Sequence, residues 1–344
     1  MTLQRGFSVV ELMIAMALSL LLGLGIFQVF TSNQESARLT QALVEVQDTG
    51  RIALDLVARD IRNAGYWGCA GDLDRISTTL NTNSDFYDVD IHSKPSTDSG
   101  ISAQDNVDAV TEVDGYLVVA GTDVLELRSM ASGGVSISKP MNTESAALFV
   151  EHDSGIEVGD VLTVNDCESG DIFEVTGFQE SGNGSKGNSM VHNQGNTTGT
   201  PGNAKKELSK QYGIGSQILR PTYRGYFLNE QNGVKRLMYR NERDSTTVFA
   251  DNVEDFQLMF GVDSTGDRVA DKFVSGTTIA SDGLSYGDVL SVEVSIRIAS
   301  SATNIVDEGI PYIWNGGDAL PEAEDQGRLR RVFSSVSTIR SKFP

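Results

Sequence analysis

Residues 7–30 read FSVVELMIAMALSLLLGLGIFQVF, and this run of 24 residues contains a single charged side chain, Glu11. At about 1.5 Å rise per residue, a helix of this length extends roughly 36 Å, more than the ~30 Å hydrocarbon core of a bilayer. The run therefore predicts a membrane-spanning helix. A carboxylate inside the start of such a helix costs free energy unless a partner neutralises it, so Glu11 requires an explanation.

Three interpretations treat this segment differently. A secretory signal peptide would be removed, but the apolar run is long for that role and no small-x-small cleavage site follows it. An ordinary membrane anchor accounts for the length and leaves Glu11 unexplained. The third interpretation rests on Arg5, Gly6, Phe7 and Glu11 at the extreme N-terminus. This pattern resembles the processing site of type IV prepilins and pseudopilins, and we favour this interpretation.

The prepilin resemblance implies a role for each of these residues. Residues 1–6 would be a leader that a prepilin peptidase removes on the cytoplasmic side, between Gly6 and Phe7. The same enzyme would methylate the new amino group of Phe7. That ammonium would pair with Glu11 of a neighbouring subunit, since opposite charges attract strongly in a medium of low dielectric constant. Glu11 would then set the register at which one subunit docks on another.

The apolar helix is expected to continue beyond the membrane. After Thr31, apolar residues recur at steps of three and four, which predicts an amphipathic helix over 31–64. Gly65 is expected to end it, because glycine is common just past a helix terminus. The predicted buried stripe comprises Leu39, Leu43, Val46, Gly50, Ala53, Leu54, Val57 and Ile61.

A second resemblance begins where this helix ends. Residues 51–69, RIALDLVARDIRNAGYWGC, resemble the end of the N-terminal helix in the PilW group of type IV pilus minor pilins. Residues 249–263, 291–297 and 328–333 also resemble that group, whereas 70–220 resemble it poorly. The family implies an α+β, pilin-like fold: a long helix, transmembrane over 7–30 and periplasmic over 31–64, packed on a β-rich globular domain of residues 65–344.

Short apolar runs bounded by Gly, Asp or Asn predict the strands of that domain. The clearest are a hairpin over 223–240, an alternating strand over 253–261 and another over 290–298. Residues 70–110 are polar and predict irregular structure with short strands at most. Residues 181–204 are rich in Gly, Asn and Ser and predict a long flexible loop.

The chain has two cysteines, Cys69 and Cys167. Cysteines of an exported domain usually pair, so we expect a disulfide that closes a loop of about 100 residues. The alternative is two free buried thiols. With three scattered histidines and no Cys-x-x-Cys, no zinc-type spacing exists.

The net charge of −20 is unevenly distributed. Residues 70–204 hold 22 acidic and five basic residues, whereas the regions before and after are nearly neutral. This acidity argues against nucleic-acid binding and is typical of a solvated extracytoplasmic domain. The closing segment is basic, with Arg328, Arg330, Arg331, Arg340 and Lys342, which indicates either subunit contacts or a solvated strand.

No catalytic constellation or cofactor motif was found, so we expect a protein that is not an enzyme and holds no cofactor. A cluster of Asp263, Asp267 and Asp271 around Gly266 leaves open a cation loop, but its spacing fits calcium poorly and favours an Asp-rich turn.

The expected function is that of a minor pilin. It would be a single-pass inner-membrane protein that joins other minor pilins and the major pilin to initiate pilus assembly at or near the fibre tip. Two alternatives remain open: a minor pseudopilin of type II secretion, and a pilus-tip adhesin that uses the acidic 70–204 region.

Overall fold

A computed structural model describes residues 8–69, 73–96, 100–150, 155–179, 189–243, 245–306, 312–314, 317–319 and 327–343. The chain divides into two compact units. Unit 1 takes the described residues of 1–51 and 297–332, and unit 2 those of 52–296 and 333–344.

Three α-helices occur among the described residues. Helix α1 runs from Val9 to Asn63, α2 from Val89 to His92 and α3 from Gly276 to Ser281. Helix α1 ends where the sequence predicts, and Gly65 has a φ of +68°, the left-handed conformation typical of the residue after a helix. The long N-terminal helix followed by strands confirms the α+β, pilin-like fold.

Strands make up most of the remainder. The first ten are β1 (Ile76–Thr78), β2 (Ile101–Gln104), β3 (Glu112–Val113), β4 (Tyr116–Leu117), β5 (Val124–Ser136), β6 (Leu148–Phe149), β7 (Val161–Asn165), β8 (Gly170–Glu174), β9 (Gly177–Gln179) and β10 (Ser189–Val191). The others are β11 (Gln217–Gln231), β12 (Val234–Asn241), β13 (Thr246–Asp251), β14 (Val253–Val262), β15 (Lys272–Val274), β16 (Val289–Ala299), β17 (Tyr312–Trp314), β18 (Gly317–Ala319) and β19 (Arg330–Thr338).

The largest sheet has eight strands built around β11. One path runs β1-β8-β7-β11-β12-β13, and β5 pairs with both β11 and β2. Only the β1–β8 pair among these is parallel. The β11–β12 hairpin turns at Asn232 and Gly233, both with positive φ, as a tight two-residue hairpin requires. The predicted hairpin is therefore present, with a shorter turn than the sequence indicated.

A second sheet has the order β15-β14-β16-β19. On β14, Phe256, Leu258 and Phe260 are buried, whereas Met259 is exposed, so the predicted alternation is present. Three small sheets complete the description: β6-β10-β9, β3-β4 and β17-β18.

The buried face of α1 differs in part from the predicted stripe. Leu39 is exposed and Leu43 half-buried, whereas Val46, Gly50, Ala53, Leu54, Val57 and Ile61 are buried. Ala42, Ala58 and Ala64 are buried too, and the sequence analysis omitted them. Alanine is a weak hydrophobic signal, so a close-packed helix face containing it is easily underestimated.

The expected flexible loop over 181–204 needs revision where the structure describes it. Residues 181–188 lie outside the described residues. The remainder begins with β10, where Met190 is fully buried in the core, and it includes Asn203, which is 2% exposed. The polar composition did not indicate this ordered structure, because hydrogen bonds rather than apolar contacts hold most of the segment.

Candidate assembly site

The N-terminal processing site is described only from Ser8 onward. Gly6 and Phe7 lie outside the described residues. Ser8 precedes α1 and Glu11 is the third residue within it. The Ser8 N–H donates to Glu11 Oε2 over 3.0 Å, and the Glu11 N–H donates to Ser8 Oγ over 3.3 Å. This reciprocal pair is a capping box, which satisfies two N–H groups that a helix start leaves free. Glu11 therefore also has a local role that the sequence analysis did not foresee.

The first part of α1 is apolar and exposed. In the described part of the chain, α1 is the one helix whose length and composition would allow it to cross a membrane. Its most apolar stretch is not buried against the rest of the protein. The Ser19 hydroxyl donates a hydrogen bond to the Ala15 carbonyl over 2.8 Å, so this polar group is satisfied within the helix. An apolar surface with its polar groups satisfied fits membrane anchoring.

Farther along α1, Glu45 makes a contact within unit 1. Its two carboxylate oxygens accept from the Ser301 N–H at 3.1 Å and the Ser301 hydroxyl at 2.9 Å. The segment after β16 is thereby tied to the helix by a charged acceptor, and hydrogen bonds of that kind are stronger than neutral ones.

The last turns of α1 are held within unit 2. Asp60 Oδ2 accepts from the Tyr226 hydroxyl at 2.7 Å and lies 3.8 Å from Arg224 Nε. Arg224 also pairs with Glu242. The ring of Tyr226 lies 5.5 Å from that of Tyr239, centroid to centroid. Asp60 of the PilW-like segment thus has a structural role, and sequence reasoning did not single it out.

A disulfide follows the helix directly. Cys69 and Cys167 are bonded, with their Cα atoms 4.6 Å apart, and Cys167 lies in the turn between β7 and β8. Asn165 is fully buried beside it. Its side chain accepts from the Cys167 N–H at 2.7 Å and donates to the Trp67 carbonyl at 3.3 Å. The bond and this amide together fix the aromatic turn that leaves α1.

The Asp-rich segment has the hydrogen bonds of a turn. Asp263 Oδ1 accepts from the N–H groups of Thr265, Gly266 and Asp267, and Oδ2 accepts from that of Arg268 at 2.7 Å. Both oxygens of this carboxylate are therefore engaged by backbone. Across the described residues, no group of three or more His, Cys, Asp or Glu has an arrangement that would hold a metal ion.

Comparison with known proteins agrees with these features. A family profile described as a prokaryotic N-terminal methylation motif matches residues 1–27. Another, described as Type IV Pilus-assembly protein W, matches residues 225–341. The pilin-like protein PilA3 of Thermus thermophilus is 38% identical over 81 residues, which cover 23% of this chain and 34% of that protein. The aligned stretch thus spans about a third of the relative's length. No solved structure matches.

The prepilin-type N-terminus, the apolar helix and the β-rich domain are thus features that this chain has in common with type IV pilin-like proteins. The C-terminal third is related to Type IV pilus-assembly protein W, which confirms the resemblance to the PilW group of minor pilins. The matched families are pilus components rather than enzymes.

Proposed function

We propose that this protein is a minor pilin that initiates type IV pilus assembly together with other minor pilins, at or near the fibre tip. The observation that carries the proposal is the presence on one chain of the methylation motif at 1–27 and the PilW-type region at 225–341. The PilW-type region favours a pilus over a type II secretion system.

In this proposal the protein enters the inner membrane through the apolar part of α1, with the β-rich domain in the periplasm. Prepilin peptidase cleaves between Gly6 and Phe7 and methylates Phe7. Glu11 pairs with the freed ammonium of a neighbouring pilin. Glu11 also accepts a hydrogen bond from the Ser8 N–H in the capping box. On assembly, its carboxylate would form the ion pair between subunits either in place of this hydrogen bond or in addition to it.

Two substitutions separate these roles of Glu11. Glu11→Gln keeps a side chain that can complete the capping box but removes the charge, whereas Glu11→Ala removes both. We expect both variants to insert in the membrane and both to be absent from sheared pili, with pilus number reduced as in a deletion strain. Glu35→Gln, exposed on the same helix, is the matched control.

Two results would overturn the proposal. One is normal piliation in a strain that lacks the protein or carries Glu11→Gln. The other is a mature membrane-bound form whose sequenced N-terminus is not Phe7.

A further inference from the structure

Unit 2 contains a cleft of about 550 Å³ that the assembly role does not use. Most of it belongs to residues 85–221, largely the part of the chain that resembles the PilW group least. Its walls come from the loop around α2, the turn before β7, the segment 199–201 and the facing ends of β11 and β12. Side chains that line it include Phe86, Tyr87, Val158, Thr200, Arg220 and Glu242.

One wall of the cleft is fixed by a buried carboxylate. Glu174 is fully buried, and its Oε1 accepts from the Thr197 N–H at 3.1 Å, the Thr197 hydroxyl at 3.0 Å and the Thr200 hydroxyl at 2.7 Å. Its Oε2 accepts from the Gly202 N–H at 2.5 Å. No basic side chain forms a salt bridge with Glu174 in the described part of the chain. Burying a carboxylate is costly unless hydrogen bonds satisfy it, so the segment 197–202 is held in one conformation.

A buried amide joins this wall to the neighbouring one. Asn203 accepts from the Thr79 hydroxyl at 2.9 Å and donates to the Glu174 carbonyl at 2.8 Å. The Asn81 N–H donates to the Gly202 carbonyl at 2.9 Å, and a turn at Ser84 then leads to Phe86. Both walls are thus arranged before any ligand arrives, which reduces the entropy cost of binding.

The charges in the cleft are almost all balanced. Four carboxylates line it, and three are paired with arginines: Asp88 with Arg240, Asp160 with Arg220 at 2.9 Å, and Glu242 with Arg224. Arg243 also lines the cleft, so the lining offers neither an anion nor a cation a large excess of opposite charge. It presents hydrogen-bond donors and acceptors side by side, as vicinal hydroxyl groups require.

Apolar surface accompanies these polar groups. Phe86 is 52% exposed and Val158 50% exposed, so both side chains give the cleft accessible apolar surface. The rings of Tyr87 and His92 lie 5.6 Å apart, centroid to centroid. A molecule with an apolar C–H face and a rim of hydroxyl groups matches this combination. We propose that the cleft binds a neutral saccharide, a function beyond pilus assembly.

The test uses the full chain in micelles of lauryldimethylamine oxide, because detergents with sugar headgroups would compete. Cellohexaose, maltohexaose and chitohexaose are titrated by calorimetry and by saturation-transfer NMR. We expect at least one to bind, and Phe86→Ala to weaken its binding about tenfold or more, about 1.4 kcal/mol. Val110→Ala, 78% exposed and outside the cleft, should leave binding unchanged.

Glu174→Gln tests whether Glu174 positions the segment 197–202, because an amide cannot accept all four of the hydrogen bonds that this carboxylate accepts. If that variant fails to fold, Phe86→Ala still decides the question, because its side chain is largely exposed. No binding by any of the three saccharides at about 10 mM, or equal binding by Phe86→Ala and Val110→Ala, overturns the proposal. Phe86→Ala should leave pilus number unchanged, so this test and the assembly test fail independently.

Discussion

The hydroxyl of Tyr226 donates a hydrogen bond to Asp60 Oδ2 over 2.7 Å, and so joins the last turns of α1 to β11 across 166 residues of sequence. Tyr226 is 1% exposed. Burial, and then the adjacent Asp60 carboxylate, raise the pKa of Tyr226, so the phenol remains a donor throughout the physiological range. Asp60 lies in the segment 51–69, whose sequence resembles the PilW group, and Tyr226 lies in the region 225–341 that the family profile matches.

Removing this bond should destabilise unit 2. We expect Tyr226→Phe and Asp60→Ala each to lower the free energy of unfolding by about 1–3 kcal/mol, because each removes one partner of the hydrogen bond and leaves the other partly buried group without it. Urea unfolding of the single and double variants measures the coupling. Asp55→Ala, exposed on the same helix, is the control. Strictly additive losses in the double variant would show that the two side chains do not interact.

The disulfide should contribute strongly to stability. Cys69 and Cys167 are separated by 98 residues, and closing so long a loop in the unfolded chain is worth about 4–5 kcal/mol in the chain-entropy account. A reductant should therefore lower the thermal midpoint of the wild type. The chain has no other cysteine, so the double variant Cys69→Ser, Cys167→Ser should be unaffected by the same reductant. A wild-type midpoint that does not change on reduction would contradict the prediction.

The buried carboxyl group of Asp123 should make stability depend on pH. Asp123 is 1% exposed and accepts from the N–H groups of Asn106 at 2.8 Å and Leu258 at 2.7 Å. Burial, followed by the neighbouring Asp105, raises the pKa of Asp123 to about 7, against 3.8 for an ordinary aspartate. Between these values the folded state retains a proton that the unfolded state has lost. Stability should therefore fall as pH rises from about 4 to about 7.

Asp105→Asn should flatten this dependence. The substitution removes the neighbouring negative charge, so the pKa of Asp123 falls and less stability is lost over the same pH range. Urea titrations at several pH values measure the slope, with the exposed Glu112→Gln as the control. An unchanged slope in Asp105→Asn would show that the charge of Asp105 does not raise the pKa of Asp123.

The Asp-rich turn should be independent of cations. Since Asp263 already accepts four backbone N–H groups, we expect Asp263→Ala to lower the thermal midpoint more than Asp267→Ala, whose carboxylate accepts only from Val269 N. Calcium should leave the wild-type midpoint unchanged. A calcium-dependent rise that Asp263→Ala abolishes would identify a metal site instead.

Hydrophobic periodicity and the residues that end helices predicted much of this fold. The apolar run, the helix end before Gly65 and the alternating strands β14 and β16 are local patterns, and each is present. The pairing of Cys69 with Cys167 followed from there being two cysteines in a domain expected to be exported. Ser8 and Glu11 stand three residues apart, which is the spacing of a capping box, so this feature is also encoded in the local sequence.

Long-range polar contacts could not be predicted in the same way. Nothing local distinguishes Glu174 from the other acidic residues of 70–204, although it is buried and holds a wall of the cleft. Asp60 is likewise one charge among several on α1 until Tyr226 is placed beside it. Such residues depend on partners far away in sequence, and only the tertiary fold brings those partners together.

The position of Tyr226 within β11 has a mechanical consequence. At this residue the strand is paired on both edges, with Leu125 of β5 and Tyr239 of β12. Tension transmitted along the end of α1 through Asp60 would reach a strand whose neighbours share the load in shear. A chain pulled through its helix would thus load a strand that both neighbours hold by hydrogen bonds.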